Sequence, residues 1–174
     1  MANKPSPRYT IRNREWRKAL SLPLVFAFVL VPLLALQSTP AAAGGWVIEC
    51  VDCPRLFSEM TDRSLRLDAA GHAHIAYGGD YLYYARHDGV NWHYETVDNS
   101  PGVGAHASLI LDGDGYPHIS YHGDNDLKYA CQDASGWHIE TVDSDGGRYT
   151  SLALNVDGYP HISYHGHDTL KYAY

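Results

Sequence analysis

From Trp46 onward the chain alternates apolar and polar residues in runs of four to seven, each closed off by Gly, Asp, Asn or Pro. Side chains on a strand point to opposite faces in turn, so this period of two predicts short, half-buried β-strands joined by hairpins. In His118-Ile119-Ser120-Tyr121-His122, Ile119 and Tyr121 fall on one face and His118, Ser120 and His122 on the other. Pro117 and Pro160 stand at strand starts, where a missing N–H costs least. Asp112-Gly113-Asp114-Gly115 and Val156-Asp157-Gly158 supply turn chemistry just before them. No run of ten residues here keeps a helical period, so the expected class is all-β.

The strands repeat. Ser64-Leu65-Arg66-Leu67-Asp68, Ser108-Leu109-Ile110-Leu111-Asp112 and Ser151-Leu152-Ala153-Leu154-Asn155 open three units of a repeat whose segments recur every 43 to 45 residues. Each continues into His74-Ile75-Ala76-Tyr77, His118-Ile119-Ser120-Tyr121 or His161-Ile162-Ser163-Tyr164. Leu82-Tyr83-Tyr84-Ala85, Leu127-Lys128-Tyr129-Ala130 and Leu170-Lys171-Tyr172-Ala173 follow. A fourth segment, Trp92 to Asp98 and Trp137 to Asp143, has its third copy at the other end, Trp46 to Asp52. Ser108–Ala130 and Ser151–Ala173 agree at 17 of 23 positions, which marks a duplication. Four strands in this repeat length are the blade of a β-propeller. With the four strands of a unit lettered A to D from its Ser-Leu start, the expected organisation is a strand D at 46–52, blades at 64–98 and 108–143, and a partial blade at 151–174, about three blades per chain.

With these residues in hand, the chain resembles secreted bacterial β-propeller repeat proteins of the S-L-A-L-D-x-x-G-x-P-H-I-S-Y type, with D-L-K-Y-A and G-W-x-x-E-T-V-D following. The resemblance covers nearly all of residues 46–174 and implies a fold more than an activity. A weaker similarity is to the Asp-box of sialidase-like propellers. Asp88 to Trp92 and Asp133 to Trp137 lie at the corresponding turn, but they are one residue short and lack the leading Ser.

Three blades fall below the four to eight that close a ring, and an open stack exposes strand edges and apolar faces. Two solutions stay open: a head-to-tail homodimer making a six-bladed ring, or a fragment of a longer propeller.

Residues 1–43 read as a bacterial-type signal peptide. Lys4, Arg8, Arg12, Arg14, Arg17 and Lys18 precede an uncharged run from Ala19 to Leu36 and a small-residue stretch ending Ala41-Ala42-Ala43. An uncleaved anchor is the alternative, though Pro23 and Pro32 interrupt the run. Either way the repeats face outward, secreted or at the cell surface. Removing this segment takes away six of the 13 basic and one of the 20 acidic residues, leaving seven against 19 and a formal charge near −12. Such a surface argues against nucleic acid and anionic membranes as partners. Cys50, Cys53 and Cys131 would sit where disulfides persist. Cys50-x-x-Cys53 has no second pair for zinc, so a local disulfide or buried thiols is expected.

Propeller ligands bind mostly where the D–A and B–C loops meet. Those loops bring His122, Asp124, Arg148, Tyr149, His165, His167 and Asp168 to one rim as candidate ligand-binding residues, with His106 nearby. His165-x-His167-Asp168 has ligand types suited to zinc, yet no metal or cofactor is expected. His74, His118 and His161 recur at one strand position, as a repeated structural hydrogen bond would require. Asp112-x-Asp114-Gly115 lacks the later ligands of a calcium loop and reads as a hairpin turn. There is no Gly-x-Ser-x-Gly elbow, no pair of carboxylates stands out, and a sialidase would need an arginine cluster. The expected function is a non-catalytic extracellular module binding carbohydrate or protein. A glycan-processing hydrolase or lyase, and a structural surface repeat, are the alternatives.

Overall fold

In a computed structural model, residues 46–53, 55 and 60–174 are described; the expected signal peptide lies outside them. Among the described residues eleven strands form three antiparallel sheets, each a meander of sequence neighbours. The first sheet is β1 (Met60–Leu67), β2 (Ala73–Gly79), β3 (Leu82–His87) and β4 (Trp92–Asp98). The second is β5 (Val103–Leu111), β6 (Pro117–Gly123), β7 (Asp126–Asp133) and β8 (Gly136–Asp143). The third has three strands, β9 (Arg148–Leu154), β10 (Pro160–Gly166) and β11 (Thr169–Ala173). The described residues contain no helix, so the all-β expectation holds.

The strands opening each sheet start earlier than Ser64, Ser108 and Ser151, because each takes in loop residues through an irregularity in register. In β5 and β9 these irregularities carry His106 and Tyr149 in the left-handed region, both at φ 54°. An extra residue in one strand bends it and re-aims a side chain.

Each first-to-second strand turn is built on an Asp or Asn. Asp112 Oδ1 accepts the N–H groups of Asp114 (2.9 Å) and Tyr116 (2.8 Å). Asn155 does the same for Asp157 (3.0 Å) and Tyr159 (2.9 Å). The side chain of Asp112 is thus spent on closing a hairpin. The turns at Asp88 and Asp133 follow the same rule, with Asp88 Oδ1 accepting from Val90 and Asn91 and Asp133 Oδ1 from Ser135.

The recurring histidines join strands within a sheet. His118 Nδ1 meets the Tyr129 hydroxyl and His161 Nδ1 that of Tyr172, both at 2.5 Å, and His74 meets Tyr84 in the same way. Burial drives the hydroxyls of Tyr84 and Tyr129 far above their ordinary range, so they stay neutral.

Between sheets the contact is apolar. Leu82 and Tyr84 of the first sheet pack with Leu109, Ile119 and Tyr121 of the second, and Trp137 meets Tyr84 edge to face at 5.5 Å. Leu127 and Tyr129 pack likewise with Leu152, Ile162 and Tyr164 of the third. Each such side chain, fully buried, contributes roughly 1.5–3 kcal/mol.

Polar ties run alongside. Tyr121 donates to Asp98 Oδ2 at 2.8 Å and Tyr164 to Asp143 Oδ2 at 2.5 Å. Lys128 reaches Asp98 at 2.7 Å and Lys171 reaches Asp143 at 2.9 Å. Trp137 Nε1 donates to Glu95 at 2.6 Å.

Residues 46–52, expected as a strand, are not one: 46–50 carry no regular structure and 51–52 form a bend. The physical reason is that, among the described residues, no strand pairs its backbone with them. Their side chains nonetheless repeat the ties between sheets, Trp92 Nε1 donating to Glu49 at 3.0 Å and Tyr77 to Asp52 at 2.8 Å. Cys50 and Cys53 form the local disulfide, and Cys131 is free and half-buried.

Candidate functional site

The connection from each four-stranded sheet to the next passes close under the hairpin of the sheet it leaves. Gly102 donates its N–H to Asp80 O at 2.8 Å, and Gly146 donates to Asn125 O at 2.7 Å. Gly147 (φ 89°) runs so near β7 that an added Cβ would lie 2.3 Å from Asp126 O. Only glycine fits there, on both conformational and steric grounds.

In the second and third sheets these hairpins are two-residue turns with both central residues left-handed. Asp124 and Asn125 have φ 47° and 71°, His167 and Asp168 46° and 60°. This is the turn whose twist matches antiparallel strands, and Asn and Asp tolerate it.

Together these features make an open cleft of about 220 Å³ between the second and third sheets, lined by Asn125, Gly146, Arg148, His165, His167 and Asp168. His165 and Arg148 are cross-strand partners, which brings an imidazole beside a guanidinium. His167 Nδ1 lies 2.7 Å from Asp145 Oδ1, and Lys171 reaches Asp145 Oδ2 at 3.2 Å. Lys171, aided by His167, holds the Asp145 carboxyl below its usual range. Among the described residues no carboxylate pairs with Arg148.

An aromatic row runs along the cleft. Tyr149, exposed, has its ring 4.4 Å from that of His106 and 6.2 Å from that of His165. His106 in turn lies 6.0 Å from His122. Burial, with Arg148 and His106 adding to it, depresses His122, so its ring is neutral at neutral pH. Its Nε2 is buried and has no hydrogen-bond partner among the described residues.

Of the seven expected rim residues, Arg148, His165, His167 and Asp168 line the cleft, Tyr149 flanks it and His122 lies behind the row. Asp124 is at the exposed apex of its turn and does not line the cleft. Asn125, Gly146 and the Asp145–Lys171 pair were not singled out from sequence. The Gly146-Gly147 doublet was the available signal for the first two, since a chain that must squeeze past a hairpin needs glycine. Asp145 and Lys171 meet only through pairing in space. No three His, Cys, Asp or Glu side chains among the described residues converge as metal ligands would, and His167 is directed to Asp145.

No known family model matches the chain, and comparison with curated proteins finds no match.

Proposed function

We propose that the chain is a secreted, non-catalytic binding module on a β-propeller scaffold, with an acidic carbohydrate as its ligand. The three sheets, repeating one set of contacts along the chain, support the scaffold reading, and the signal-like sequence of residues 1–43 supports secretion. The observation that carries the ligand class is Arg148, a guanidinium without a carboxylate partner among the described residues, in a cleft lined by His165 and His167 and flanked by exposed Tyr149. A guanidinium grips a carboxylate or sulfate with two parallel hydrogen bonds, and an exposed tyrosine offers a face to a sugar ring.

Binding is favoured over hydrolysis by the state of the carboxylates. Asp168 is the one carboxylate lining the cleft among the described residues, whereas glycoside hydrolysis ordinarily needs two. Asp145 behind it is held ionised by Lys171 and His167, which suits a positioning group and not a general acid.

Calorimetric titration with a glucuronate-containing oligosaccharide and its neutral counterpart tests the reading. The acidic sugar should bind at least tenfold tighter, Arg148→Ala should erase the difference, and the sugar should be recovered uncleaved. Equal affinities, or cleavage, would overturn it.

A further inference from the structure

The first and third sheets each end the stack with a face that elsewhere in the chain is covered. Leu127 and Tyr129 of β7 are 0% and 6% exposed against the third sheet, whereas their counterparts on β11, Leu170 and Tyr172, are 85% and 58% exposed. At the opposite end, Leu109 and Leu152 are 0% and 5% exposed, while Leu65 at the same place in β1 is 55% exposed. The two open faces are the two halves of an interface that the chain already makes twice.

Each half also carries a polar fitting. Leu109 donates its N–H to Ser64 Oγ at 3.0 Å, and Leu152 donates to Ser108 Oγ at 3.1 Å. The next members of this series are the exposed Ser151 hydroxyl and the Leu65 N–H. Strand pairing is interrupted in complementary places too. No described strand follows β11 where β8 follows β7, and residues 46–52 carry the matching strand sequence without a neighbour to pair with.

We infer that these ends take a second copy of this chain, head to tail, with residues 46–52 of one copy adding to β11 of the other as its fourth strand. The inference rests on the propeller scaffold proposed above. A second copy is the occupant because the open ends demand a leucine-bearing first-strand face together with an unpaired fourth-strand segment, and this chain presents both. Two copies make six sheets and three make nine, and closed rings hold four to eight. A head-to-tail contact that failed to close would grow into filaments. In the register that joins β7 to β8, Leu127 faces Asp143, Tyr129 faces Glu140 and Ala130 faces Ile139. Across the two copies this becomes Leu170 facing Asp52, Tyr172 facing Glu49 and Ala173 facing Ile48.

Light scattering on the full chain should give twice the chain mass, and Leu65→Asp should halve it while the far-UV circular dichroism is retained. Ile48→Cys combined with Ala173→Cys should yield an oxidised, covalently joined pair of chains that neither substitution forms alone. Should Leu65→Asp fail to fold, this cross-link decides the matter. A wild-type chain of single mass, a threefold mass, or a mass that climbs with concentration overturns the inference. The cleft lies within one chain, so Leu65→Asp should still bind the acidic sugar; lost sugar binding in an intact dimer would count against the ligand reading alone.

Discussion

The hydroxyl of Tyr121 on β6 donates to Asp98 Oδ2 at the end of β4, tying the second sheet to the first across 2.8 Å. Lys128 reaches the same oxygen at 2.7 Å, so a buried carboxylate is held by a neutral and a charged donor at once. Burial opposes the charge, but Lys128, Ser100 and Tyr121 outweigh it and bring the Asp98 carboxyl to about 2. Its folded value lies below its unfolded one, so the stabilisation is present above pH ~4 and is lost as pH falls toward 2, an effect of about 2 kcal/mol. Asp98→Asn should lower stability at pH 7 by roughly that amount and flatten the loss between pH 4 and 2. Urea unfolding across that range measures it, and an unchanged acid slope would show that Asp98 is not the group responsible.

Burial also depresses His122 and His74. A histidine whose folded value lies below its unfolded one leaves the unfolded chain binding more protons, so stability falls as pH drops below ~6.5. Replacing His122 with Gln should weaken the dependence between pH 7 and 5, a window above the one governed by Asp98. Unfolding midpoints at pH 7 and 5 compare the two chains.

Gly147 and Gly158 both adopt positive φ, 89° and 84°, yet only Gly147 lies against a neighbouring strand. Gly158→Ala should therefore cost about 1 kcal/mol, the conformational penalty alone. Gly147→Ala adds a clash with the backbone of Asp126 and should cost well over 2 kcal/mol. Equal losses in thermal unfolding would mean that the Gly147 backbone yields to the added methyl.

In the first sheet Tyr83 stands where Lys128 and Lys171 stand in the others, so Asp52 lacks the lysine that Asp98 and Asp143 have. Arg55 takes that part, with its Nε 3.5 Å from Asp52 Oδ2 and its guanidinium 4.2 Å above the Tyr83 ring. Arg55→Ala should cost about 1 kcal/mol and speed hydrogen exchange around Asp52. Adding Tyr83→Lys should restore the protection, because the new ammonium would reach Asp52 as Lys128 reaches Asp98.

The period-two alternation and the repeat in the sequence determined the strands from Ser64 onward, their hairpin order and the turns at Asp112–Gly115 and Val156–Gly158. Those are local properties, set by which residues tolerate a pleat or a left-handed turn. The recurrence of His74, His118 and His161 likewise announced a bond made once per unit, which the structure realises with Tyr84, Tyr129 and Tyr172. Loop position in the repeat already grouped Arg148, His165, His167 and Asp168 with Asp124 on one rim, but only the tertiary structure decided that the four line a cleft and Asp124 does not, because a cleft between sheets depends on how two sheets pack. It also decided that residues 46–52, whose sequence matches β4 and β8, lie unpaired, since a strand exists only where a neighbour offers its N–H and C=O groups.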